Sequence, residues 1–158
     1  MVTVRSHLWF HDNGYEAAQF YVANIPGTEI TRVVHAGPGV PDVPEGAPFV
    51  VDLLLAGVPF TFLTAGPALT LDDAFSIYLS VDGQEEVDRY WNLLTADGGQ
   101  PGQCGWLVDR FGVSWQVVPV QFEELMSRPD PVAVARATEA MLTMNKLDIA
   151  ALEAAYAG

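Results

Sequence analysis

The chain has 158 residues, with 7 Lys and Arg against 20 Asp and Glu, a formal charge of −13, and half its residues hydrophobic. That length builds one domain or two half-size modules around a proper core, and eight Phe with four Trp exclude a disordered chain. The charge excludes nucleic acid as a partner, because phosphate binding needs clustered Lys and Arg, and it argues against anionic membranes.

A single cysteine, Cys104, makes no intrachain disulfide. The N-terminal residues show no apolar run followed by a small-residue cleavage site. The longest apolar stretch, Phe49 to Phe62, is interrupted by Asp52, Gly57 and Pro59. It is too short and broken for a membrane span. The expectation is a cytoplasmic protein.

In chain order, Thr3 to Phe10 reads as a strand, rich in β-branched and aromatic residues. Asp12-Asn13-Gly14 offers a helix cap, and Glu16 to Asn24 follows as a helix that Ile25-Pro26-Gly27 ends. Thr28 to His35 resumes strand character. Gly37 to Pro48 holds four prolines and reads as a loop. Phe49 to Ala56 and Val58 to Thr64 form a hairpin turning near Ala56-Gly57.

Past the Gly66-Pro67 loop, Phe75 to Val81 alternates Ser76, Tyr78 and Ser80 with Ile77, Leu79 and Val81, the period of a two-faced strand. Glu85 to Thr95 carries Val87, Tyr90, Trp91 and Leu94 at helical spacing. Gly102 to Val108 and Val113 to Val120 read as strands flanking the Asp109 to Gly112 turn, with Asp109 and Arg110 as a solvated pair. From Gln121 the chain is helical, broken at Pro129-Asp130-Pro131, where Asp130 can cap and Pro131 can open a helix. Met126, Met141 and Met144 with Leu125, Leu142, Leu147, Ile149 and Leu152 make a packing stripe.

Two stretches repeat. A shift of 70 lays Ser6 on Ser76, Asp12 on Asp82, Glu16 on Glu86 and Phe20-Tyr21 on Tyr90-Trp91; a shift of 55 lays Gly57–Leu63 on Gly112–Val118. Each copy reads strand, helix, strand, strand, strand. The expected fold is α+β: two βαβββ modules, about 1–66 and 72–120, forming a curved mixed sheet around a cleft, plus C-terminal helices over 121–158. Strand parity turns Ile77, Leu79, Val81, Phe60, Phe62, Trp115 and Val117 under the helices. It turns Ser6, Leu8, Thr61, Ser76, Tyr78, Ser80 and Gln116 toward the cleft, roofed by the Pro-rich loop.

The motifs Leu8-Trp9-Phe10, Glu16-Ala17-Ala18, Phe20-Tyr21, Gln84 to Asp88 with Tyr90-Trp91, and above all Gly102 to Leu107 running on through Gln116, resemble the vicinal oxygen chelate superfamily, the glyoxalase/bleomycin-resistance fold. More specifically, the same motifs resemble its PhnB-like branch, whose members are often labelled 3-demethylubiquinone-9 3-methyltransferase domains, and the tail from Met144 to Gly158 is similar to that branch too. The resemblance covers nearly the whole chain and implies a homodimer with a small-molecule ligand. In metal-dependent members, ligands come from the first and last strands of each module. Carried onto this sequence, those positions are Ser6, Thr61, Ser76 and Gln116, none a strong ligand for a divalent transition metal. His7 has the wrong parity beside Ser6, and His11 and His35 lie at a turn and beside the Pro-rich loop. No metal and no cofactor is therefore expected.

The methyltransferase label also lacks its usual hardware, because no glycine-rich turn joins a strand to a helix; Gly98-Gly99 ends one instead. The expected site is a cleft of neutral polar groups, Ser6, Thr61, Ser76, Tyr78 and Gln116, with Cys104 and Trp106 beside it. The expected function is metal-free small-molecule binding. The alternative is an enzyme that uses one of these polar groups, or Cys104 as nucleophile once a neighbouring base or cation lowers its pKa.

Overall fold

The computed structural model describes residues 1–158, which form two compact units, Met1–Leu71 and Asp72–Gly158. In the first unit the elements are β1 (Ser6–Phe10), α1 (Gly14–Asn24), β2 (Glu29–His35), β3 (Pro48–Leu55) and β4 (Val58–Thr64). They make one mixed sheet in the order β1-β4-β3-β2, with β1 parallel to β4 and the other pairs antiparallel. In the second unit β5 (Ile77–Val81), α2 (Gly83–Thr95), β6 (Gln100–Pro101), β7 (Trp106–Val108) and β8 (Ser114–Pro119) repeat that connectivity, in the order β5-β8-β7-β6. The chain is α+β with two βαβββ modules. Three helices, α3 (Val120–Met126), α4 (Pro131–Leu142) and α5 (Ile149–Ala157), complete the second unit.

In each unit one helix covers one face of the sheet. Phe10, Phe60 and Phe62 line the covered face of the first, and Phe62 meets Phe10 at 4.8 Å and Tyr21 of α1 at 6.0 Å. Gly14 opens α1 without a side chain because a Cβ there would sit 2.7 Å from Thr64 Oγ1. In the second unit Val87, Tyr90, Trp91 and Leu94 of α2 are all buried, as their spacing predicts, along with Trp115 and Val117 of β8.

The tail closes a second small core. Val118 of β8 packs with Leu125, Ala137, Leu147 and Leu152, and Met126, Met141 and Met144 lie against them. Leu142, expected in that stripe, is 57% exposed at the end of α4. The Asp130 carboxylate accepts from the Val132 and Ala133 N–H groups, capping α4 as its sequence predicts. Asp148 does the same for α5 at Ala151.

Two segments depart from expectation. Gly102 to Val108 is not one strand: Gln100–Pro101 forms β6, then Gly102–Gly105 turns back into β7 with Cys104 at φ 56°. The turn is clamped from the tail, where the Cys104 and Gly105 N–H groups donate to the Met144 and Asn145 carbonyls. At Gly105, φ is +83° and an added Cβ would lie 2.9 Å from the Val117 carbonyl oxygen, so only glycine fits. Asp109, expected as half of a solvated pair, is 3% exposed. Its Oδ1 accepts from the Phe111 and Val113 N–H groups and its Oδ2 from Trp115 Nε1, while Arg110 reaches Asp97 Oδ2 at 2.7 Å.

Candidate functional site

Strand pairing decides which residues share the sheet face that α1 leaves uncovered. Arg32 of β2 pairs with Asp52 of β3, Asp52 with Thr61 of β4, and Thr61 with His7 of β1. These four form a polar row straight across the sheet, with about 4.8 Å between neighbouring strands. On the same face, Val34, Val50, Leu63 and Trp9 form an apolar row to one side, and Leu54 with Pro59 lies to the other, ending at Glu29 of β2.

Asp52 is the centre of this row. It is 7% exposed, and so is Thr61 nearly, at 6%. Its Oδ1 accepts from Thr61 Oγ1 at 2.6 Å and meets Arg5 at 3.1 Å; its Oδ2 accepts from Arg32 Nε at 2.7 Å. Burial pushes the Asp52 carboxyl up, but the hydrogen bonds from Thr61 and Arg32 and the two guanidinium charges outweigh it and hold it below its ordinary value. Arg5 and Arg32 keep 47% and 62% of their side-chain surface exposed.

Ser6 does not join Thr61. Its partner is Phe60, on the face under α1, with Leu8 and Phe10 beside it. In a parallel pair, partnered residues point the same way, so the residue facing Thr61 is His7. The two strands are therefore offset by 71 positions, His7 onto Tyr78, rather than 70. Nor does the Pro-rich loop roof this face. Val43 and Pro44 lie against the α1 side, where with His11, Tyr15, Glu16 and Thr64 they border a cavity of 340 Å³ rimmed by Asp12 and Asp42.

The second unit keeps its predicted parity. Tyr78 pairs with Gln116 and Gln116 with Trp106, on the face opposite α2. Gln116 Nε2 donates to Ser76 Oγ at 2.8 Å, and the Tyr78 hydroxyl donates to Glu123 of α3 at 2.6 Å. Burial, and then that bond to Glu123, push the Tyr78 phenol well up, so it stays protonated. Ser76, Tyr78, Gln116 and Trp106 are brought together. Cys104 sits in the clamped turn before β7, only partly exposed. Cys104→Ala is accordingly expected to change the unfolding free energy by no more than about 1 kcal/mol in urea titration.

Arg5, Arg32, His7 and Asp52 were not among the residues expected in the site. The signal for Asp52 was present, a lone carboxylate in the middle of the apolar run Phe49 to Leu55.

Two βαβββ modules of this connectivity define the glyoxalase/bleomycin-resistance class, the vicinal oxygen chelate superfamily. Residues 3–118 match the model of the family described as 3-demethylubiquinone-9 3-methyltransferase. The chain belongs to that PhnB-like family. A PhnB protein from Bacillus cereus carrying the same family description is 25% identical, with a TM-score of 0.67 over 75% of this chain and 99% of that one. Protein PA1353 from Pseudomonas aeruginosa is also 25% identical, with a TM-score of 0.55 over 75% of this chain and 98% of that one. The fosfomycin resistance protein FosX from Listeria monocytogenes shares the fold at 18% identity, with a TM-score of 0.56 over 80% of this chain and 98% of its own. No curated protein matches the sequence.

FosX has been crystallised with Mn(II). The donors at the paired first-strand and last-strand positions of this chain are one imidazole, His7, with a threonine hydroxyl, a tyrosine phenol and a glutamine amide. The Thr61 and Tyr78 hydroxyls already donate to carboxylates, and both Asp52 oxygens are taken by cations and Thr61. No three His, Cys, Asp or Glu side chains cluster as metal ligands. Neither pair, His7 with Thr61 in the first unit or Tyr78 with Gln116 in the second, fits a divalent transition metal, which needs imidazole, thiolate or carboxylate groups in number.

Proposed function

We propose that this protein binds a small organic molecule without a metal, on the sheet faces that its α1 and α2 helices leave uncovered. The observation that carries the reading is the polar row Arg32-Asp52-Thr61-His7 set beside the apolar row Val34-Val50-Leu63-Trp9 on the first sheet. A few fixed polar anchors in an apolar wall are the usual composition of a small-molecule site. The Ser76-Gln116-Tyr78 group beside Trp106 supports it with the same composition on the second sheet. The reading includes a homodimer, supported by exposed edge strands at β2 and β6, and a cytoplasmic location, where a lone thiol stays reduced. No helix is long and apolar enough to cross a membrane.

A fragment library screened by NMR on the labelled full chain tests the binding. Hits are expected to shift His7, Trp9, Tyr78, Trp106 and Gln116; a library that shifts none of them overturns the reading. Dialysis against EDTA is expected to leave both the thermal midpoint and those hits unchanged, since a metal bound only by the folded state would raise the midpoint. A stoichiometric divalent ion in the purified protein would contradict that. S-adenosylmethionine belongs in the same screen, and its binding with transfer of its methyl group would replace this reading with the activity of the family's description.

A further inference from the structure

The cations of this chain are few, and their distribution is uneven. Arg89, Arg110, Arg128 and Lys146 meet Glu86, Asp97, Glu153 and Asp88, and Arg136 donates to the backbone carbonyls of Ala155 and Tyr156. Arg5 and Arg32 instead converge on one carboxylate, Asp52. In a chain with nearly three acids per base, two guanidinium groups here meet a single carboxylate, while Glu29 of β2, in register with Leu54, lies one row away on the same face. The Arg5-Asp52-Arg32 group lies on an uncovered sheet face, in the row that ends at His7.

The guanidinium groups are held, not used up. Arg32 commits its Nε to Asp52, and Arg5 commits one terminal nitrogen to Asp52 and Thr61. Each guanidinium carries five N–H donors in a planar fork, so most of both forks remain open to the solvent side. Asp52, buried and anchored by Thr61, restricts where those forks can point, and preorganised donors bind an anion at lower entropic cost than free side chains. By contrast, Asp12, Glu16 and Asp42 at the 340 Å³ cavity would repel an anion.

We propose that Arg5 and Arg32, oriented by Asp52 and flanked by His7, form an oxyanion site that takes the carboxylate or phosphate-like group of the small molecule this protein binds. The inference rests on the binding reading above and adds the charge of the ligand. The apolar row Val34-Val50-Leu63-Trp9 would then receive the uncharged body of the same molecule.

The test is an NMR titration of the full chain, following the arginine Nε–H signals and the His7 ring. The probes are benzoate, inorganic phosphate and neutral benzamide. Benzoate or phosphate is expected to shift Arg5 and Arg32 saturably, leaving Arg89, Arg128 and Arg136 in place, with weaker binding as salt rises. Which of the two binds more tightly distinguishes a carboxylate from a phosphate-like group. Arg5→Gln, which lies ahead of β1 and outside the core, is expected to weaken that binding roughly tenfold, the loss of one charge-assisted contact. Arg32→Gln should do the same.

Non-saturating shifts spread over all the arginines, or unaltered affinity in Arg5→Gln and Arg32→Gln, would overturn the oxyanion site. If benzamide and other neutral fragments still shift Trp9 and His7 in that case, only this inference falls. If nothing binds, the proposed function falls with it.

Discussion

Asp109→Ala is expected to destabilise the protein by about 3–5 kcal/mol, the largest effect of any polar substitution, because three donors lose one acceptor group together. The carboxylate receives the Phe111 N–H at 2.9 Å, the Val113 N–H at 3.0 Å and the Trp115 indole N–H at 2.9 Å. Asp109, Phe111, Val113 and Trp115 are all under 10% exposed, so water cannot take over those bonds. The loss also loosens the turn that sets β8 beside β7, and with it the position of Gln116. Asp109→Asn should fall between wild type and alanine, since its carbonyl can still accept from both backbone groups while its amide nitrogen would face the indole donor. Urea denaturation with an unchanged slope measures this. A cost below about 1 kcal/mol for alanine would mean that the three donors find other partners.

The sequence made some of this legible and hid the rest for physical reasons. Alternation worked at β5, where Tyr78 contrasts with Ile77 and Leu79, and Ser76, just ahead of the strand, joins Gln116 and Tyr78. It failed on β1. There Leu8, Trp9 and Phe10 are apolar on both faces, because one face meets α1 and the other carries the apolar row beside Trp9. With no polar contrast, parity rested on the single residue Ser6, and one position of error moved it to the wrong face.

The Arg5-Asp52-Arg32 group was hidden differently. Its members lie on, or just ahead of, three strands distant in sequence, so only tertiary register brings them together. Asp52 read as an interruption of an apolar run, where a buried carboxylate with cationic partners was the other meaning of the same signal. At Gly102 to Val108, apolar residues flanking Cys104 imitate a strand, and the tail contacts that bend the segment come from Met144 and Asn145.

Asp52→Asn is expected to cost about 2 kcal/mol at neutral pH, less than the loss of a fully buried ion pair because both arginines are half exposed and can swing into water. The substitution keeps the shape and an acceptor for Arg32 while removing the charge that satisfies Thr61, Arg5 and Arg32 together. The pH dependence carries the sharper signature. In the folded protein the carboxyl titrates below its ordinary 3.8, so the stability it contributes is present above that value and is lost as pH falls through the folded pKa. The difference between wild type and Asp52→Asn should therefore stay level from pH 7 down to about 5 and shrink steadily below that. Salt should trim it at every pH, because the guanidinium groups are open to screening. A difference near zero at every pH would show that the carboxylate acts by shape alone, and the orientation of Arg5 and Arg32 would then need another cause.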